Sequence, residues 1–263
     1  MEKIQSQQNS RIKNLQKLFA KSKERRAQDL FVIEGIREIQ LAIAGSYSLE
    51  VVYICPELFS APLPKFISEN SKELVEVTPP VFQKIAYREH SDGIIALSKP
   101  KPHTLSELKL PVNPFIIVLE AVEKPGNLGA ILRTADAAQA DAVIVCDLST
   151  DVYNPNVIRS SLGCVFTVPL AVSTNAETLS FLREKQVRIF AAELQASRWY
   201  HETDFTQACA LVMGTEANGL SHFWIDNADV RIKIPMRGKI DSLNVSVSTA
   251  VLTFEAMKQR GFK

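Results

Sequence analysis

Five short apolar runs in the C-terminal half do most to constrain the fold: Phe115 to Leu119, Ala142 to Cys146, Arg188 to Ala192, Leu211 to Met213 and Arg231 to Ile234. Continuous runs of this length fit parallel strands covered on both faces rather than strands with one wet side. Helical patterns fill the intervals, notably Leu128 to Ala138, Ala176 to Lys185 and Val245 to Lys258. The expectation is a doubly wound α/β sheet, whose ligand lies in the crevice beyond the carboxyl ends of the strands.

The N-terminal half alternates too. Leu30 to Ile33, Glu50 to Cys55, Leu74 to Val77 and Gly93 to Leu97 read as strands, and Ile36 to Ala44, Lys65 to Asn70 and Pro79 to Ile85 as helices. Before them, Arg11 to Lys23 sets Ile12, Leu15, Leu18 and Phe19 at helical spacing among basic residues. Between the halves the periodicity stops. Pro100, Pro102, Pro111 and Pro114 fall in one stretch, four of the chain's 13 prolines, which suits an extended linker with a short turn around Leu105 to Leu108. The expected organisation is a small α/β domain over 1–98, a proline-rich linker over 99–113 and a larger α/β domain over 114–263.

With 46% hydrophobic and 22% charged residues the composition is that of an ordinary globular protein. No run of about 18 apolar residues is present, so no membrane span is expected. The polar start, Met1 to Asn9, lacks the apolar core of a signal peptide. Cys55, Cys146, Cys164 and Cys209 are scattered and read as small hydrophobes in a reducing cytoplasm. His90, His103, His201 and His222 lack ligand spacing, and no metal is expected.

Charge is unevenly placed. Residues 1–26 hold eight Lys and Arg against Glu2 and Glu24, a local net of +6 in a chain whose total is +1. Such a run is either a solvated helix face or an arm for a phosphate backbone, and composition does not separate the two.

Three glycine-bearing loops follow apolar runs and so fall at the expected ligand edge. In the first, Glu123 to Thr134, Asn127 stands at the expected helix N-cap. Arg133 interrupts an apolar run there and asks for a partner, which is either Asp136 or another carboxylate, or an RNA phosphate or ribose. The spacing is neither a dinucleotide fingerprint nor a phosphate loop. In the second, Leu211 to Leu220, Gly214 permits close backbone approach, Gly219 supplies a positive φ, and Glu216 lies between them. In the third, Ile234 to Ala250, Ser242, Asn244 and Ser246 precede an apolar helix, which by itself also describes an ordinary N-cap. Ile234 and Leu243 could offer an apolar slot with backbone donors and acceptors for an adenine ring.

Taken in order, these three segments resemble the three motifs of the SpoU (TrmH-like) branch of the SPOUT methyltransferases. The resemblance implies a parallel-sheet SPOUT domain with a C-terminal trefoil knot, preceded by a small α/β substrate-binding domain; strand patterns alone would not propose a knot. It implies transfer of a methyl group from S-adenosylmethionine to a ribose 2′-hydroxyl in RNA. Asn127, Arg133, Glu216, Ser242 and Asn244 fall on catalytic positions, and Gly214, Gly219, Ile234, Met236 and Leu243 on cofactor positions. Phe31 to Ile39 is similar to the substrate-binding domain of ribosomal RNA members, which favours ribosomal over transfer RNA. Expected RNA contacts are Arg11, Lys13, Arg26, Arg37 and Arg159, the last within Asn154 to Gly163, a stretch similar to one beside the family's site. A homodimer through the methyltransferase domain and a cytoplasmic location are also implied. The family's Phe-Gly pair is missing near Ala138 and Gln139, which bears on helix packing. The competing readings are a transfer RNA enzyme, base methylation on the same scaffold, and a non-catalytic RNA-binding or ribosome-assembly protein.

Overall fold

The structure, a computed structural model, describes residues 1–60, 62–87, 91–148, 150–196, 198–215 and 218–262. They form two compact units: Met1–Pro102 with Asp151–Thr167, and His103–Thr150 with Val168–Lys263.

The first unit runs β1 (Glu2–Ile4), α1 (Ser10–Ala20), α2 (Ser22–Gln28), β2 (Phe31–Glu34), α3 (Ile36–Ala44), β3 (Leu49–Ile54), α4 (Lys65–Asn70), β4 (Leu74–Val77), α5 (Pro79–Ile85) and β5 (Ile94–Ser98). Its sheet has the order β1-β4-β3-β5-β2. The first three strands are parallel, and β5 is antiparallel to both β3 and β2. Ile12, Leu15 and Leu18 lie on one stripe of α1 and bury against Tyr53, Val75, Val77 and Phe82. The basic helix expected as one piece is two, because Lys21 is extended (φ −128°, ψ 117°), ending α1 and opening α2.

The second unit runs β6 (Phe115–Glu120), α6 (Pro125–Ala138) and β7 (Ala142–Cys146). It resumes with β8 (Leu170–Ser173), α8 (Asn175–Glu184), β9 (Arg188–Ala192), β10 (Arg198–Trp199), β11 (Cys209–Met213), α9 (His222–Asn227), β12 (Val230–Lys233) and α10 (Val245–Gln259). All seven strands are parallel, in the order β10-β12-β9-β11-β6-β7-β8. The continuous apolar runs are therefore the buried strands they were read as.

Between β7 and β8 the chain contributes α7 (Pro155–Ser160) to the first unit. The sequence-based boundary placed this segment with the C-terminal domain. Its attachment is an aromatic cluster: Phe31 stacks on Tyr153 at 4.1 Å, and the Tyr47 and Tyr153 hydroxyls are 3.1 Å apart. Burial holds the Tyr153 hydroxyl above its ordinary pKa. Nearby, the buried Arg25 donates to Asp151 at 2.7 Å and to the carbonyls of Leu18 and Phe19 at 2.6 and 3.2 Å. A buried guanidinium needs such partners, and sequence distance hides them.

The proline-rich stretch is no loose tether. A turn at Leu105–Glu107 is closed by a Thr104/Glu107 capping box, and Leu105, Leu108 and Leu110 pack on the core of the second unit. Three leucines gain more by burial than an extended linker gains by freedom.

Helix α6 begins earlier than its apolar pattern suggested. Pro125 takes the first position, where a missing N–H costs nothing, so Asn127 is the third helical residue and Lys124 the N-cap. The helix ends on Gln139 with φ +52°, a left-handed turn that glycine adopts most easily. Gln139→Gly is expected to stabilise the protein by about 0.5–1 kcal/mol, relief of Cβ strain exceeding the added chain entropy. Chemical denaturation would show this as a higher midpoint at unchanged slope. A lower midpoint would mean that the Gln139 side chain contributes more than its backbone strain costs.

All four cysteines are buried, and burial pushes the Cys146 thiol up to about 12. Among the described residues no helix is long and apolar enough to cross a membrane, and no His/Cys/Asp/Glu group could hold a metal.

Candidate active site

Strands β6 and β11 are neighbours in register, Leu119 opposite Met213, so their carboxyl ends release two loops side by side. The first loop leads into α6 and the second carries Gly214 to Gly219. Glu120 closes β6 as a buried carboxylate, 5% exposed. It accepts from the Ser221 N–H at 2.8 Å, the Ser221 hydroxyl at 2.5 Å and the Asn175 amide at 3.0 Å. Asn175 in turn accepts from the Trp224 indole at 2.6 Å. This network fixes the exit of the second loop and the start of α9. Sequence reading passed over Glu120; the available signal was a carboxylate ending an otherwise apolar strand.

Gly214 is required by its own loop. A Cβ there would collide with the backbone carbon and oxygen of Gly219 and the nitrogen of Leu220. Thr215 and Gly219 exchange two backbone hydrogen bonds at 3.0 Å each, and Gly219 takes the expected positive φ of +67°. The close approach read from Gly214 is thus filled, on this side, by the chain's own backbone rather than by a ligand. Glu216 lies outside the described residues.

The third motif meets the first through a hydrogen bond between two asparagines. Asn244 caps α10, its Oδ1 accepting from the Ser246 N–H at 3.0 Å and the Ser246 hydroxyl at 2.6 Å. Its Nδ2 also donates to Asn127 Oδ1 at 3.3 Å, across 117 positions of sequence. The ordinary capping role is real, and the same side chain also ties two motifs together. The junction is stable because α10 packs on α6 with Val245, Thr249, Leu252 and Ala256 inward.

Beside this bond lies a cavity lined by Val122, Glu123, Lys124, Asn127, Gly214, Thr215 and Val245. It sits where a parallel sheet places its ligand, beyond strand carboxyl ends. Two valines give it apolar walls, Gly214 a bare backbone, and Glu123 and Lys124 one charge of each sign. That lining suits a ligand with an aromatic base and charged groups of both signs.

The remaining candidates differ in setting. Arg133 is exposed and, among the described residues, makes no hydrogen bond or ion pair, so the Asp136 alternative is not what the structure contains. Ser242 is exposed, its hydroxyl donating to Asp241 at 3.1 Å. Ile234 and Met236 are half-buried beyond β12, and Leu243 is 37% exposed. None of these three lines the cavity, nor does Gly219.

Of the basic residues, Arg11 already has partners. It grips Glu73 with two bonds of 2.9 and 2.6 Å and Glu2 at 2.6 Å, and the Glu73 contact raises its pKa further. Lys3 pairs with Glu76 at 2.6 Å. With Arg25 buried, the cations of residues 1–26 that stay exposed and without ion pairs among the described residues are Lys13, Lys17, Lys21, Lys23 and Arg26. Arg37 and Arg159 are exposed and likewise unpaired.

A parallel α/β sheet with a ligand cavity at its carboxyl edge, joined to a separate small α/β unit, defines a two-part enzyme architecture. The chain belongs to the SpoU rRNA Methylase family, whose profile matches residues 114–254, and an MRM3-like substrate binding domain matches residues 9–96. It is 32% identical over 255 residues to the 23S rRNA (guanosine-2′-O-)-methyltransferase RlmB of Escherichia coli strain K12, covering 95% of this chain and 97% of that protein. The 23S rRNA (guanosine(2553)-2′-O)-methyltransferase RlmP of Bacillus subtilis is 28% identical over 254 residues, 97% and 98% of the two chains. Among solved structures, an RNA 2′-O ribose methyltransferase superposes with TM-score 0.86 at 37% identity, over 98% of this chain and 99% of that one. The AdoMet-bound rRNA methyltransferase of Sinorhizobium meliloti gives TM-score 0.89 at 25% identity, over 98% and 97%.

Proposed function

We propose that this protein transfers a methyl group from S-adenosylmethionine to a ribose 2′-hydroxyl of ribosomal RNA. The observation that carries the reading is the Asn244–Asn127 hydrogen bond, which joins the third motif to the first beside a cavity at the sheet's carboxyl edge. When bound, the cofactor supplies an electrophilic methyl on a sulfonium centre. The chain's part is to hold the cofactor through the cavity walls, Gly214 among them, and through Gly219, Ile234, Met236 and Leu243 outside those walls, and to bring a ribose hydroxyl into line. Asn127 and Asn244 brace each other at that point. Ser242 and Asn244 orient the ribose, and Glu216 keeps the catalytic role that the motif implies. Arg133 binds a phosphate and stabilises negative charge developing on the ribose oxygen, because a delocalised guanidinium is a poor proton acceptor.

Residues 1–98, together with the segment 151–167, serve as the ribosomal RNA-binding domain, with Lys13, Arg26, Arg37 and Arg159 on phosphates and Arg11 stiffening the unit; the rest of 114–263 holds the catalytic domain, joined through 99–113. Ile240, Leu243, Val247 and Phe254 present large exposed side chains on α10 and its leading loop, 66, 37, 48 and 42% exposed. That apolar surface fits a second copy of the chain, so the enzyme acts as a homodimer in the cytoplasm, with the segment before α10 drawn into a trefoil knot.

The test is transfer of radiolabelled methyl to ribosomal RNA and, separately, transfer RNA from cells lacking the gene. Label on ribosomal RNA at an alkali-resistant linkage is expected. Label on transfer RNA alone would reassign the substrate, and label on neither would overturn the activity.

A further inference from the structure

We propose that Tyr87, Phe19 and Arg159 form a stacking platform for one unpaired base of the RNA substrate, with Arg159 taking the adjoining phosphate. This rests on the reading that the protein acts on RNA. Tyr87 is 42% exposed yet held at both ends: its hydroxyl donates to Asn156 at 2.9 Å and its backbone N–H to Glu34 at 2.9 Å. Phe19 lies parallel to it, ring planes 5° apart and centroids 5.9 Å apart. An exposed aromatic that is already fixed and backed by a second ring loses little freedom on stacking a base.

The charge pattern separates base from phosphate. Phe19, Val32, Glu34, Tyr87, Ile158 and Arg159 line a pocket in the first unit. Glu34 is only 5% exposed, and its carboxylate is engaged at the pocket floor, where it accepts from the Tyr87 backbone N–H. Arg159 is exposed and without an ion pair among the described residues. It follows Asn156 by three positions on α7, so it shares the helix side that holds the Tyr87 hydroxyl. Lys13 and Lys17 are exposed and unpaired cations on α1, the helix that carries Phe19. An apolar peptide would leave these cations unmatched and an acidic one would leave the stacked rings unused, whereas a nucleotide matches the rings and Arg159 together.

The experiment uses the full chain and two short unstructured oligoribonucleotides of equal length, one with bases and one abasic. Wild type is expected to prefer the base-bearing strand by roughly tenfold. Tyr87→Ala abolishes that preference and Tyr87→Phe retains it; Tyr87→Leu replaces the alanine variant if that one does not fold. Arg159→Gln weakens both strands alike and reduces the salt slope by about 0.7. An unchanged preference in Tyr87→Ala, or no preference in wild type, overturns the platform. Methyl transfer to ribosomal RNA is measured in parallel. Transfer without a base preference sinks the platform and leaves the enzyme reading standing. A Tyr87-dependent preference without transfer does the reverse.

Discussion

Arg133→Ala is expected to lower the single-turnover rate of methyl transfer by about 10²–10³-fold, with stability unchanged within about 0.5 kcal/mol. The contrast follows from the side chain's setting. Arg133 is exposed and has no partner among the described residues, so the fold loses nothing when it is truncated. Its neighbours Leu132 and Ala135 face the core, so only the exposed side chain of Arg133 is lost. A structural arginine would show the opposite pattern, with a shifted denaturation midpoint and a modest rate effect. Arg133→Lys separates charge stabilisation from proton transfer. If the guanidinium stabilises charge, the lysine variant is slower but its pH–rate profile keeps its shape. An apparent pKa moving toward lysine's value of about 10.4 would make this residue the base instead.

Gly214→Ala is expected to destabilise the second unit by about 3 kcal/mol and to weaken cofactor binding in the same variant. The added methyl meets backbone atoms of Gly219 and Leu220, which cannot rotate away as a side chain would. Relief would require breaking the paired Thr215–Gly219 hydrogen bonds or shifting Leu220 away from Ser221, whose N–H is bonded to Glu120. Either movement opens the cavity wall formed by Gly214 and Thr215. Thermal denaturation with and without S-adenosylmethionine reads both effects: a midpoint lower by roughly 6–12 °C and little stabilisation by cofactor. A variant as stable as wild type would show that this loop relaxes without cost.

The elements legible in advance share one property, a full apolar pattern within a single segment. Helices α3, α4 and α5 and strands β4, β7 and β9 have the limits their patterns suggested. The strands that escaped notice, β1, β8 and β10, all lie at sheet edges. An edge strand is short and partly wet, as the single buried residue of β1 illustrates, so no continuous run marks it. The start of α6 was misplaced for a related reason. Periodicity begins at Leu128, but Pro125 can open a helix without any apolar signal.

The candidate site divides in the same way. Glycines and polar residues after apolar runs located its three loops, because strand ends and turn residues leave local marks. Which of those residues meet is another matter. Asn244 reaches Asn127 across 117 positions and Arg25 reaches Asp151 across 126, and neither distance has a local correlate. Arg11 looked like a free cation until Glu73 was folded beside it, and Glu120 drew no attention until Ser221 and Asn175 closed on it. Periodicity and turn chemistry are properties of neighbours in the chain, and they determined the class of fold and where its loops would fall. Hydrogen bonds and charge pairing depend on separations of a few ångströms, which only chain closure sets, so the tertiary structure alone decided which side chains are engaged and which remain available.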